Sequence, residues 1–81
     1  MNLKHKNILI TGAGKGIGLA TLNDCLRQGA YIYALTRSKN DLKNFKNYKN
    51  LHIFIGDVRN EKMIKKIFVE AKKKKNQLIV L

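Results

Sequence analysis

Apolar runs and helix-period segments alternate along the chain in the order strand, helix, strand, short helix, strand, helix, strand. Asn7 to Thr11 (Asn-Ile-Leu-Ile-Thr) is a nearly unbroken apolar run ending in a glycine cluster, the pattern of a buried parallel strand. From Gly16 to Gln28 the residues Ile17, Ala20, Leu22, Cys25 and Leu26 fall mostly on one helical face, and Gly29 supplies the stop. Tyr31 to Thr36 predicts a second strand. Ser38 is placed to cap a short helix running to about Phe45, with Leu42 and Phe45 facing inward. His52 to Ile55 predicts a third strand, closed by Gly56. Asn60 then caps a helix whose apolar positions Met63, Ile64, Ile67, Phe68 and Ala71 keep helical spacing up to the run Lys72 to Lys75. Lysines in a last helical turn suit the negative end of the helix dipole. Leu78 to Leu81 predicts a fourth strand. No internal repeat or linker interrupts the series, which predicts an α/β fold, a partial Rossmann-type doubly wound parallel sheet (βαβαβαβ) ending after its fourth strand.

At 81 residues and 44% hydrophobic, the chain has room for one small core and is not composed like a disordered tail. A domain this short buries only about 60% of the surface its unfolded chain exposes, which makes its stability marginal without a partner or ligand. Cys25, the single cysteine, cannot form an internal disulfide, and no Cys/His cluster offers metal-ligand spacing. Lys4, His5 and Lys6 precede only the short run Ile8 to Ile10, far less than a signal-peptide core or a membrane span needs. A reducing, cytoplasmic location is expected. The balance of 17 Lys+Arg against 5 Asp+Glu gives +12, which by itself points to nucleic acid, an anionic membrane or a phosphorylated ligand. Lysine dominates, and it runs with asparagine at Lys43, Asn44, Lys46, Asn47, Lys49 and Asn50. Such a bias is what an AT-rich coding sequence produces on solvated faces, so a functional basic surface is the minority reading.

The chemistry concentrates at the first strand-to-helix turn, Thr11-Gly12-Ala13-Gly14-Lys15-Gly16-Ile17-Gly18. Glycines there permit a tight turn and a close approach of backbone N–H groups to phosphate oxygens, and the following helix aims its positive end at the same anion. Standing between a buried strand and an amphipathic helix, the loop suits a pyrophosphate. It is not a P-loop, because Gly16 and not Ser or Thr follows Lys15. Nor is it Gly-x-Gly-x-x-Gly, because Ile17 holds the place of the third glycine; the spacing is Gly-x-x-x-Gly-x-Gly.

With that spacing the sequence resembles the short-chain dehydrogenase/reductase family, whose cofactor motif is Thr-Gly-x-x-x-Gly-x-Gly. Thr11 to Gly18 matches every fixed position, and Asp57-Val58 after the third strand resembles the family's Asp-Val or Asp-Leu pair that holds the adenine ring. The resemblance implies that Gly12, Gly16 and Gly18 shape the loop, that Gly14 and Lys15 lie along phosphate and ribose, and that Ile17 supports the nicotinamide end. An acidic residue at the tip of the second strand would receive the ribose hydroxyls of NAD; Thr36 holds that place here and Arg37 follows. Arg37 with Ser38 and Lys15 suits a 2′-phosphate, since guanidinium and phosphate pair bidentately. The implied cofactor is NADP rather than NAD.

The family's fourth strand runs into Asn-Asn-Ala-Gly, with a catalytic Ser, Tyr and Lys well beyond, and none of these is present. Tyr31, Tyr33 and Tyr48 lack the Tyr-x-x-x-Lys spacing and are expected to be sheet and surface aromatics; no residue is assigned a catalytic role. His5 and His52 are expected to be structural, and Asp24, Asp41, Glu61 and Glu70 to be helix-surface or cap positions. Residues 1–81 are thus expected to form the N-terminal part of an NAD(P)-binding domain. Its full-length parent would be a homo-oligomer moving hydride between NADPH and a carbonyl or alcohol. The ending Leu-Ile-Val-Leu suits either an in-frame boundary or a loss of reading phase in the A-rich codons of Lys72 to Lys75. The rival reading is a small basic protein whose lysine-rich helix binds RNA or another polyanion, although no aromatic interleaving accompanies its lysines.

Overall fold

A computed structural model describes residues 3–38, 40–45, 48–73 and 77–81 of the chain. Four parallel strands, β1 (Asn7–Thr11), β2 (Tyr31–Thr36), β3 (Leu51–Ile55) and β4 (Leu78–Val80), lie in the order β3-β2-β1-β4. Helix α1 (Gly16–Arg27) connects β1 to β2, and α2 (Glu61–Lys72) connects β3 to β4. The sheet grows from β1 through β2 to β3, and β4 then returns to the free side of β1. The reversal of direction beside β1 opens a crevice at the carboxyl ends of the strands, where ligands of such sheets bind.

Strand periodicity sorts the core into two layers. Ile8, Ile10, Ile32 and Ala34 face α1 and meet Leu22 and Cys25, while Leu9, Tyr33 and Leu35 face α2 and meet Ile67 and Ala71. Both faces of β1 and β2 are covered, which is why these strands read as continuous apolar runs. β3 and β4 lie at the two edges and are more exposed; Val80 and Leu81 are open to solvent. Leu81 extends the ladder past β4, its N–H donating to the Leu9 carbonyl at 2.8 Å.

The helices end as their flanking residues dictate. Asn60 accepts the Met63 N–H at 3.1 Å, so α2 begins where its cap was expected, and Glu61 adds a carboxylate at the positive end of its dipole. α2 ends at Lys72, where the lysine run begins, as its spacing predicts; Lys74 and Lys75 lie outside the described residues. One expected element is absent. Ser38 does not cap a helix to Phe45; its Oγ accepts the Asn40 N–H at 3.3 Å in a local turn, and a single 3₁₀ turn follows over Lys43–Phe45. So short a segment cannot offset the cost of nucleating an α-helix, although Leu42 still buries against the α1 layer. β3 begins one residue earlier than expected, at Leu51. Among the described residues, no helix is long and apolar enough to cross a membrane.

Candidate functional site

The β1-α1 turn is pinned at both ends. Leu35 of β2 accepts the Ala13 N–H at 3.2 Å, carrying the sheet ladder one step past Thr11. Gly12 and Gly16 adopt φ of +61° and +56°, and neither has an atom within 4 Å of where a Cβ would stand. Backbone at these two positions therefore borders open space. The other two glycines do the opposite. A Cβ at Gly18 would collide with the Gly12 carbonyl, and one at Gly14 would lie 2.6 Å from Asp41 Oδ2 and 2.7 Å from Thr36 Oγ1. Packing at Gly14 and Gly18 folds the loop back on the sheet and on the first turn of α1, while Gly12 and Gly16 leave its outer rim bare.

The entry to α1 differs from that of α2. Lys15 stands at the N-cap with its side chain making no capping bond, and no acidic residue lies in the first turn. The first N–H groups of α1 thus lack a side-chain cap among the described residues, with the helix dipole behind them.

Opposite the turn, a cleft of ≈ 310 Å³ is lined by Thr11, Gly12, Leu35, Arg37, Gly56, Asp57, Val58 and Arg59. Parallel register creates it: Thr36 pairs with Ile55, and the Gly56 N–H donates to the Thr36 carbonyl at 2.8 Å, so the residues after β2 and β3 emerge side by side. Arg37 Nη2 donates to Asp57 Oδ2 at 2.8 Å. Arg59 closes on the same carboxylate through Nη2 at 2.9 Å and Nε at 3.2 Å, with its backbone N–H at 2.8 Å. The side-chain bond from Arg59, then that from Arg37, holds the Asp57 carboxyl well below the usual carboxylate range. Among the residues singled out from sequence, Gly12, Arg37, Asp57 and Val58 share this cleft. Lys15 and Ser38 are exposed and do not line it, and Ile17 projects from α1 with 87% of its surface exposed.

Two residues carry more than their sequence neighbourhood indicated. Asp41, expected at a helix surface, is half-buried and accepts the hydroxyl of buried Thr36 at 3.0 Å, wedged beneath Gly14. The helix expected around it does not form, so its side chain turns in to the loop. Arg59 was not singled out at all; the Asp-x-Arg spacing, which lets a carboxylate accept from the backbone two residues on, is the signal that marks it. The aromatic positions sit away from these groups. Tyr31 stacks on His5 and Tyr33 on His52, and burial, then Glu70, pushes the Tyr33 phenol up, opposite to what a proton donor needs. Asp24 pairs with Arg27 on an exposed face of α1, and half-buried Glu70 lies 3.6 Å from Lys73 at the end of α2.

A glycine turn between β1 and α1, at the reversal point of a 3-2-1-4 parallel sheet, defines a dinucleotide-type α/β domain. Residues 6–81 match the short chain dehydrogenase family, and the chain belongs to it. It is 35% identical over 68 residues to a 3-amino-tetrahydro-pyrrolizinone reductase of Xenorhabdus hominickii, covering 83% of this chain and 23% of that one. To a 1,2-dihydroxy-1,2-dihydronaphthalene dehydrogenase of Pseudomonas putida it is 42% identical over 66 residues, covering 72% and 25%. An apo SCOR enzyme from Clostridium thermocellum superimposes with a TM-score of 0.73 at 30% identity, over 85% of this chain and 29% of that structure. The chain thus spans about a quarter of the length of the curated relatives it matches. The family is one of oxidoreductases that use an NAD(P) cofactor.

Proposed function

We propose that residues 1–81 supply the NADP(H)-binding part of a short-chain reductase whose remaining portion carries the catalytic and substrate groups. The observation that carries this reading is the shared cleft, in which the bare backbone of Gly12 and the side chain of Arg37 line one space at the ends of β1, β2 and β3. The donor set suits a phosphorylated dinucleotide: uncapped N–H groups at α1 for a pyrophosphate, and a cation after β2 where an acidic residue would favour a free ribose diol. When bound, the reduced nicotinamide would give a hydride to a carbonyl, and the oxidised form would take one from an alcohol.

On this reading each residue acts by binding or orienting. Gly12, Gly16 and Gly18 keep the loop low enough for the first turn of α1 to donate to phosphate. Gly14 and Lys15 lie along the phosphate and ribose, and Ile17, standing free at the start of α1, offers an apolar rest for the nicotinamide end. Arg37 and Ser38 receive the 2′-phosphate, and Asp57 with Val58 borders the adenine. The names of the two relatives, one a reductase and one a dehydrogenase, support hydride transfer in the parent without fixing its substrate.

Calorimetric titration of the full chain with NADPH and NADH, beside Arg37→Ala, tests the reading. Arg37 shares its guanidinium with Asp57 and is 75% exposed, so the lower end of a charge-assisted bond applies, about 1.5 kcal/mol or roughly tenfold weaker NADPH binding. NADH affinity should hardly move. A cofactor preference untouched by the substitution sinks the NADP assignment. The polyanion alternative rests on charge alone; RNA affinity above that for NADPH, falling steeply with salt, would favour it.

A further inference from the structure

Asp57 accepts from two guanidinium groups that differ in how firmly they are tied to it. Arg59 grips both oxygens, Nε and its own backbone N–H on Oδ1 and Nη2 on Oδ2. These contacts join residues two apart in one turn, so they do not depend on the distance between two strand ends. Arg37 reaches from the end of β2 across to the end of β3 through a single Nη2–Oδ2 contact. Its side chain and that of Arg59 are 75% and 81% exposed, leaving their other donors in solvent, whereas the Asp57 side chain is only 29% exposed. With one contact against three, Arg37 is the more weakly held of the two partners.

We propose that Arg59 is a specificity-positioning residue: by clamping Asp57 it releases Arg37 to pair with the 2′-phosphate of the cofactor and neutralises the carboxylate that would otherwise repel that phosphate. The inference rests on the NADP reading of Arg37. A phosphate monoester carries close to two negative charges near neutral pH, so a bare carboxylate sharing its arginine would oppose binding. With Arg59 in place, the carboxylate keeps a bidentate cation when Arg37 turns away. Without it, Arg37 is the only side-chain cation bonded to Asp57 among the described residues, and each movement toward phosphate strips that charge of its partner. Asp57 stays anionic throughout the physiological range, so it competes for Arg37 at every working pH. NADH, which lacks the phosphate, needs no such release, and its binding should be indifferent to Arg59.

Calorimetric titration with NADPH and NADH, on the full chain and on Arg59→Ala, Arg59→Lys, Arg37→Ala and the pair Asp57→Asn/Arg59→Ala, separates the possibilities. Arg59→Ala should weaken NADPH about tenfold, the loss of one charge-assisted contact, with NADH changed less than about twofold. Arg59→Lys, a point charge without the fork, should fall between. In the pair, a neutral amide neither detains Arg37 nor repels phosphate, and the NADPH-to-NADH ratio should return toward that of the unaltered chain. Equal losses for both dinucleotides in Arg59→Ala, or no loss at all, overturn the inference while an Arg37→Ala effect on the ratio keeps the NADP reading intact. If the unaltered chain binds neither dinucleotide or shows no preference for NADPH, or if Arg37→Ala leaves the ratio unmoved, the NADP reading fails and the inference with it.

Discussion

Two alanine substitutions in one loop should have very different consequences for stability. Gly18 stands in the first turn of α1, where alanine is normally favoured over glycine by about 1 kcal/mol. Here the added Cβ would overlap the Gly12 carbonyl oxygen, stand 2.9 Å from its carbon and lie 3.2 Å from Ala13 Cα. All three are backbone atoms of a turn pinned to β2 through the Ala13 N–H, so none can rotate aside as a side chain would. Overpacking of this kind costs roughly 1–3 kcal/mol or more, and against rigid backbone the upper part of that range applies. Gly18→Ala should thus lose a net of about 2 kcal/mol after the propensity gain. Gly12→Ala meets nothing within 4 Å and suffers only its left-handed φ of +61°, a cost of about 1–2 kcal/mol, partly offset by a less flexible unfolded chain. In a domain of this size 1 kcal/mol moves Tm by about 4–8 °C, so thermal unfolding followed by far-UV circular dichroism should rank the chains unaltered, Gly12→Ala, Gly18→Ala. Dinucleotide affinity should be lost in both, because a methyl at Gly12 occupies the open rim. If Gly18→Ala melts with or above the unaltered chain, the close approach of α1 to the turn is not what fixes the loop.

Asn60→Ala removes the acceptor of the Met63 N–H and should cost about 1 kcal/mol, visible as a lower urea midpoint with an unchanged slope; an unchanged midpoint would show that the cap is idle. Asp57 has its folded-state pKa depressed, so its contribution to stability is present above the ordinary carboxylate range and is lost as pH falls through and below that range. Asp57→Asn should accordingly flatten the fall in stability on acidification while changing little in its slope near neutrality, and parallel acid titrations of the two chains would contradict this. Burial, then the neighbouring Asp24, pushes the Cys25 thiol up, so Cys25 should react with iodoacetamide at weakly alkaline pH only as fast as the fold opens; labelling at the rate of a free thiol would count against its place in the core.

The sequence by itself determined most of the elements and the glycine turn, because both depend on local information. Strand and helix periods, Asn60 as a cap and the glycine spacing are each written within a few neighbouring residues, and the strands β1 and β2 and the start of α2 fall where the pattern places them. The one local failure, the helix expected from Ser38 to Phe45, occurs where the apolar signal is reduced to Leu42 and Phe45, too little packing to hold a helix. What the tertiary structure decided is which of these pieces meet. Arg37 and Asp57 are twenty residues apart and touch because parallel register sets the ends of β2 and β3 side by side, and the return of β4 to β1 puts the crevice at the glycine turn. The same packing turns Asp41 beneath Gly14, where its carboxylate holds Thr36, and gives Arg59 its grip on the carboxylate that Arg37 also needs. Side-chain chemistry can be read along a chain, but a shared carboxylate depends on the distance between strand ends, and that distance is set only when the sheet has formed.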